Sequence, residues 1–185
     1  MTLYTRAGDT GTTRTFSCDQ RISKSSTIAE ALGTLDEVNS FLGLCVAGAR
    51  DATLALGDSA VADIVRATQE TLFIIQAELA GAPGKTVSVE KVKEIEQIVD
   101  HIEKELPPIK TFFIPGADEL SARFDSARTI ARRAERRVVA VIEEGKTGIG
   151  EYSLAYLNRL SSLLYALARH ANHVAGVTEM PPSYT

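Results

Sequence analysis

The chain has 185 residues, 44% of them hydrophobic and 24% charged, which is enough for a sizeable buried core. Its formal net charge of −4 argues against nucleic acid as the main partner, because nucleic-acid-binding domains carry a net basic footprint. Cys18 and Cys45 are too few for a disulfide framework and lack zinc-site spacing, and no apolar run approaches the ~18 residues of a membrane span, so a cytoplasmic protein without membrane contact is expected.

Residues 3–24 are rich in glycine and threonine and show no helical period, so they read as loop. Gly8 and Gly11 permit close backbone approaches, and the hydroxyls of Thr5, Thr10, Thr12 and Thr13 beside successive N–H groups suit phosphate oxygens, with Lys24 as a cation at the end. Neither the Walker A spacing nor G-x-G-x-x-G is present, which leaves a phosphate cradle and an ordinary N-terminal arm both open.

A helical period begins at about Thr27, with Ile28, Leu32, Leu35, Val38, Leu42 and Cys45 on one face up to Gly48 and Asp36 on another. A second helix follows Gly57-Asp58-Ser59 and buries Val61, Ile64, Val65, Thr68, Leu72, Ile75 and Leu79. The third, from about Ser88, carries Val92, Ile95, Val99, Ile102 and Leu106. His101 lies beside that seam and reads as structural rather than ligating.

Pro107 and Pro108 end this helix and open a non-helical connection to Ala117. Its adjacent aromatics, Phe112 and Phe113, either plug the end of the bundle or wall a ligand pocket. The fourth helix spans about Asp118 to Glu144 and stops at the glycine-rich 145–150 stretch. The fifth, about Glu151 to Ala175, buries Leu157, Leu160, Leu164, Leu167, Ala171 and Val174, with Asn158, Ser161 or Ser162, Tyr165 and Arg169 alongside.

The fourth helix holds the densest charge in the chain: Arg128, Arg132, Arg133, Arg136 and Arg137 around a lone Glu135. At about 3.6 residues per turn, Phe124, Ala127, Ala131, Ala134, Val138 and Val141 form one apolar stripe, with Arg128, Arg132 and Glu135 on the line beside it. A solvated face of i,i+4 pairs is the ordinary reading of such a run. One glutamate leaves most of the guanidinium charge unmatched, however. A carboxylate from elsewhere or an anionic ligand is required, and the two-pronged guanidinium suits phosphate.

These elements predict an all-α five-helix bundle: a single domain over 1–185, with an N-terminal segment (1–26), a bundle (27–175) and an extended tail (176–185). Ala29, Ala31, Val46, Ala155 and Leu163 lie off the main stripes and are expected at contacts with other subunits.

Four stretches together carry a family resemblance: Thr5-Arg-Ala-Gly-Asp-Thr-Gly-Thr-Thr13, Gly33-Thr-Leu-Asp-Glu-Val-Asn-Ser40, Ala127-Arg-Thr-Ile-Ala-Arg-Arg-Ala-Glu-Arg136 and Tyr156-Leu-Asn-Arg-Leu-Ser161. In this order the chain resembles the PduO-type ATP:cob(I)alamin adenosyltransferases, which move the adenosyl group of ATP to cob(I)alamin. The resemblance implies a homotrimer with ATP at subunit interfaces. It assigns the triphosphate to Thr5, Arg6, Ala7, Gly8, Thr13 and Lys24, joined by Arg132, Glu135, Arg136 and Asn158, with Mg2+ carried mainly on the phosphates. Arg128 resembles the family arginine that bridges to a neighbour's aspartate, here Asp36, and Phe112 the phenylalanine at the lower face of the corrin.

Ser162 stands where the family often has aspartate, and Tyr165 where a phenylalanine commonly lines the corrin cavity. The implied product is adenosylcobalamin, with a reductase and an adenosylcobalamin-dependent enzyme as implied partners. An ATP-responsive corrinoid-binding protein that delivers adenosylcobalamin to such an enzyme is the alternative.

Overall fold

The computed structural model describes residues 4–15, 21–145 and 149–184; Cys18 and residues 146–148 of the stretch expected to end the fourth helix lie outside them. Five helices account for most of the described chain: α1 Thr27–Asp51, α2 Val61–Leu79, α3 Val89–Glu105, α4 Glu119–Glu143 and α5 Glu151–Val174. The starts of α1 and α4 follow local chemistry. Ser26 caps α1 by accepting from the Ala29 N–H, and Asp118 and Ser121 form a reciprocal capping box at the start of α4. Gly145 takes the left-handed conformation (φ 66°) just past the end of α4, where glycine avoids the Cβ penalty.

α2, α3 and α5 have no cap from the side chain of their own N-cap residue, which at α5 is Gly150. Glu78 of α2 supplies the cap of α5 instead: its Oε1 accepts from the Gly150 N–H at 3.1 Å and its Oε2 from the Ser153 hydroxyl. A carboxylate is thereby held against the positive end of the helix dipole.

The core lies at the centre of α4. Phe124, Ala127, Ala131, Ala134, Val138 and Val141 are fully buried, as their spacing predicts. The alanines let α1 and α5 approach α4 closely on its two flanks; α2 packs on the outside of α1 and α3 on the outside of α5. Fully burying each large core side chain, such as Leu35, Leu42, Leu72, Ile75 or Leu160, contributes ~1.5–3 kcal/mol.

This layering corrects one expectation. Ala31, Val46 and Leu163 are buried within the chain, because α1 and α5 each pack on two neighbours and need a second apolar stripe. The exposed large hydrophobics on α1 and α2 are Leu44 and Phe73. Val174, expected inside, is exposed at the last turn of α5, and α1 runs on to Asp51, past Gly48.

Two short antiparallel ladders add structure that periodicity could not show. β1 (Thr12–Thr13) pairs with β2 (Ile22–Ser23), and β3 (Ala55–Leu56) pairs with β4 (Ser59–Ala60). The first turns the N-terminal loop into a hairpin leading into α1. Cys45 is buried in α1 and burial pushes its thiol up to about 12, so it offers no thiolate nucleophile near neutral pH. No helix among the described residues is long and apolar enough to cross a membrane.

Candidate functional site

The arginine run divides by partner. Arg133 pairs with Glu37, and Arg137 approaches Glu30 at 3.5 Å, so both lie against α1. Their counter-charges come from carboxylates on α1, and both side chains stay about half exposed, as a solvated face of the run would be. Arg128 reaches Asp125 one turn back on α4, Nε to Oδ1 at 3.1 Å. Arg132 and Arg136 are exposed and have no carboxylate partner among the described residues. Glu135, between them, instead accepts from Asn158 Nδ2 of α5 at 2.9 Å. The Asn158 side-chain oxygen Oδ1 in turn accepts from Arg159 at 2.8 Å.

A cleft of about 580 Å³ opens between α4, α5 and the 109–115 connection. It brings together Phe112, Tyr165, Arg128 and Arg132, four residues singled out in the sequence, with Asp125 and Ser162 also on its lining. Both phenylalanines line the cleft, but they differ in exposure. Phe113 is half-buried with its ring 5.3 Å from the Arg169 guanidinium, whereas Phe112 is 76% exposed at the cleft. Tyr165 lies under the Arg128 guanidinium at 5.8 Å. Burial raises its phenol above the ordinary tyrosine range, with Glu179 and Asp125 adding to the rise and Arg169 and Arg128 opposing it. The phenol stays a neutral hydrogen-bonding group on an otherwise aromatic wall.

The second cleft, about 650 Å³, is built by the N-terminal hairpin. Thr5, Ala7, Gly8, Thr13 and Lys24 line it, as do Arg14 and Arg21, which the sequence reading did not select. Arg21 ties the hairpin together: its Nε donates to Thr12 Oγ1 at 2.7 Å, and one terminal nitrogen donates to the carbonyls of Thr12 (2.8 Å) and Ala7. Lys24 is fixed through its backbone N–H to Gly11 O at 2.9 Å. A Cβ on Gly8 would sit 3.1 Å from the Lys24 ammonium nitrogen, so glycine there keeps room for that cation. Arg6 holds a left-handed backbone (φ 58°), a conformation that costs a non-glycine residue ~1 kcal/mol or more, and its N–H-rich turn closes through Asp9 N–H to Arg6 O.

The hairpin and the α4–α5 cleft share no lining residue. Thr27, at the start of α1, bonds Glu144 at the end of α4. Arg136 and Arg132 lie eight and twelve residues back along α4, or ~12 and ~18 Å at about 1.5 Å per residue. Asp36 is exposed on α1 and makes no ion pair among the described residues. His101 is half-exposed and pairs with Glu105 at 3.2 Å. No group of three or more His, Cys, Asp or Glu residues able to hold a metal occurs among the described residues.

Cationic and hydroxyl side chains at the hairpin and aromatic side chains in the α4–α5 cleft thus occur on one helical bundle. The chain matches the model of the cobalamin adenosyltransferase family over residues 3–171 and belongs to that family. Corrinoid adenosyltransferase PduO of Citrobacter freundii is 40% identical over 181 residues, covering 95% of this chain and 51% of the relative, so this chain spans about half that protein's length. A second Citrobacter freundii protein, a corrinoid adenosyltransferase, is 38% identical across 90% of this chain and 93% of its own. A solved variant of a PduO-type ATP:corrinoid adenosyltransferase from Lactobacillus reuteri, complexed with cobalamin and ATP, superposes with a TM-score of 0.86 at 28% identity, covering 98% of this chain and 99% of that one.

Proposed function

We propose that the protein transfers the 5′-deoxyadenosyl group of ATP to cob(I)alamin, yielding adenosylcobalamin and triphosphate. The observation that carries this reading is the position of Arg132. It lines the aromatic cleft beside Phe112 and Tyr165, and it has no carboxylate partner among the described residues. One side chain can therefore meet a phosphate and border a corrin together. The names of the relatives and the cobalamin and ATP in the related structure agree with that pairing.

The cobalt electron pair of cob(I)alamin attacks C5′ of ATP, the cobalt–carbon bond forms, and the C5′–O bond breaks with its electrons leaving on triphosphate. No protein nucleophile is required. The protein's work is to align the two substrates and to neutralise the departing oxygens. Arg132, Arg136 and Lys24 supply the charge, and the Thr5–Gly8 turn and Thr13 supply N–H and hydroxyl donors. Glu135 and Asn158 hold each other toward the nucleotide. Phe112 covers the lower face of the corrin and keeps a lower ligand off the cobalt, with Tyr165 on the adjoining wall. Magnesium would be carried mainly on the triphosphate oxygens, as Mg2+ commonly binds through substrate phosphates, and would neutralise part of their charge.

The functional unit is a homotrimer with ATP between copies. The separation of the hairpin from Arg132 and Arg136 supports this: a neighbouring chain's hairpin completes the phosphate site. Arg128 engages Asp125 through Nε alone, so its terminal nitrogens are available to Asp36 of a neighbour. An anaerobic assay with ATP, magnesium and chemically reduced cobalamin tests the reading. Loss of the cob(I)alamin absorption is expected on adding the protein; a spectrum that persists, with adenosylcobalamin bound when supplied ready-made, would favour delivery over catalysis.

A further inference from the structure

Residues 107–117 have no helix and no ladder, yet this segment must present Phe112, which is itself 76% exposed and gains little packing of its own. Its order comes from Arg169 of α5, a residue only 7% exposed. Nη2 of Arg169 donates to Pro107 O at 3.2 Å, at the start of the segment, and the guanidinium lies against the Phe113 ring in its middle. Nε donates to Glu179 at 3.0 Å in the C-terminal tail, and Glu179 also accepts from Asn172 at 3.4 Å. One residue further along the tail, Met180 O accepts from the Ile114 N–H at 2.8 Å, closing the circuit at the far end of the segment.

A buried ion pair contributes little net stability, because the desolvation cost offsets most of the attraction, and two apolar side chains would fill the same space about as well. What apolar residues cannot do is aim directional bonds at Pro107 O and hold the tail carbonyl opposite Ile114. We propose that Arg169 and Glu179 are positioning residues, and that the 178–184 tail is a clasp setting the pose of Phe112 at the corrin cleft. The proposal rests on the adenosyl-transfer reading for its consequence, but not for its geometry. Loosening the clasp lets Phe112 leave the cleft wall, which weakens corrinoid use and leaves the distant hairpin untouched.

The test replaces the pair together, as Arg169→Met with Glu179→Leu, so that neither charge is left buried alone. Hydrogen exchange across 109–115 in the ligand-free variant should speed up by roughly tenfold or more, with α4 unchanged. The KM for cob(I)alamin should rise by roughly tenfold while that for ATP stays within about twofold. Arg169→Lys, which keeps the charge without the fork, should fall between the double variant and wild type. Unchanged exchange in the folded double variant overturns the clasp, and so does faster exchange with both KM values unaltered. The exchange measurement needs no turnover. Wild-type protein inactive toward corrinoid would therefore strike the adenosyl-transfer reading, while exchange alone still decides the clasp.

Discussion

Arg21 gives the sharpest handle on the nucleotide half of the site. It is exposed and touches no part of the helical core, yet it makes three hydrogen bonds that close the N-terminal hairpin over the cleft containing Gly8 and Lys24. Arg21→Ala removes all three and leaves the two-residue β1–β2 ladder and a few backbone bonds, such as Lys24 N–H to Gly11 O, to hold the turn. At ~0.5–1 kcal/mol net for each exposed bond, the hairpin loses ~1.5–3 kcal/mol of local order, which must be restored when the nucleotide binds. This corresponds to a rise in the KM for ATP of roughly ten- to hundredfold. The thermal midpoint should move by less than about 1 °C, because the bundle does not depend on the hairpin. Steady-state rates with ATP varied at saturating cob(I)alamin, beside a melting curve, provide the assay. Arg21→Lys should recover part of the loss. An ATP KM within twofold of wild type for Arg21→Ala would refute the view that hairpin order prepares the phosphate site.

Arg132→Ala and Asn158→Ala should each lower ATP use without unfolding the protein, because both side chains are exposed and neither fills the core; undiminished turnover in either variant removes that residue from the site. Copies carrying Lys24→Ala and Arg132→Ala should complement one another: random trimers mixed in equal amounts rebuild about one quarter of the sites if hairpin and α4 come from different chains, whereas no recovery would mean that each chain supplies its own. Asp36→Asn should loosen the proposed trimer in sedimentation and reduce activity together, and no change in both would discard the proposed Arg128 bridge. Glu78→Ala strips the carboxylate from the start of α5 and should cost about 2 kcal/mol, a fall of ~4–8 °C in melting temperature; an unchanged midpoint would mean that the start of α5 is satisfied without it.

The helices were legible because amphipathic spacing repeats over many turns: the α4 stripe from Phe124 to Val141 is buried residue for residue. What escaped the sequence depends on partners distant in the chain. Glu37 and Glu30 lie about a hundred residues from Arg133 and Arg137, so nothing local to the run showed which arginines were already engaged. Separations of 72 and 62 residues likewise hid the capping of α5 by Glu78 and the hold of Arg169 on Pro107. Ladders of two residues carry no period, which is why the hairpin read as plain loop and Arg21 was passed over. Phe112, Tyr165, Arg128 and Arg132 were readable as candidates, but their meeting in one cleft came only with the packing of α4 on α5.

The fate of the atoms in ATP tests the central claim most directly. With ATP carrying carbon-13 at C5′ and cob(I)alamin under anaerobic conditions, the account predicts that the label appears bonded to cobalt. Phosphorus resonance should show intact triphosphate released in equal amount. Formation of ADP, diphosphate or inorganic phosphate in place of triphosphate, or a label that remains in ATP while cob(I)alamin is consumed, would contradict it.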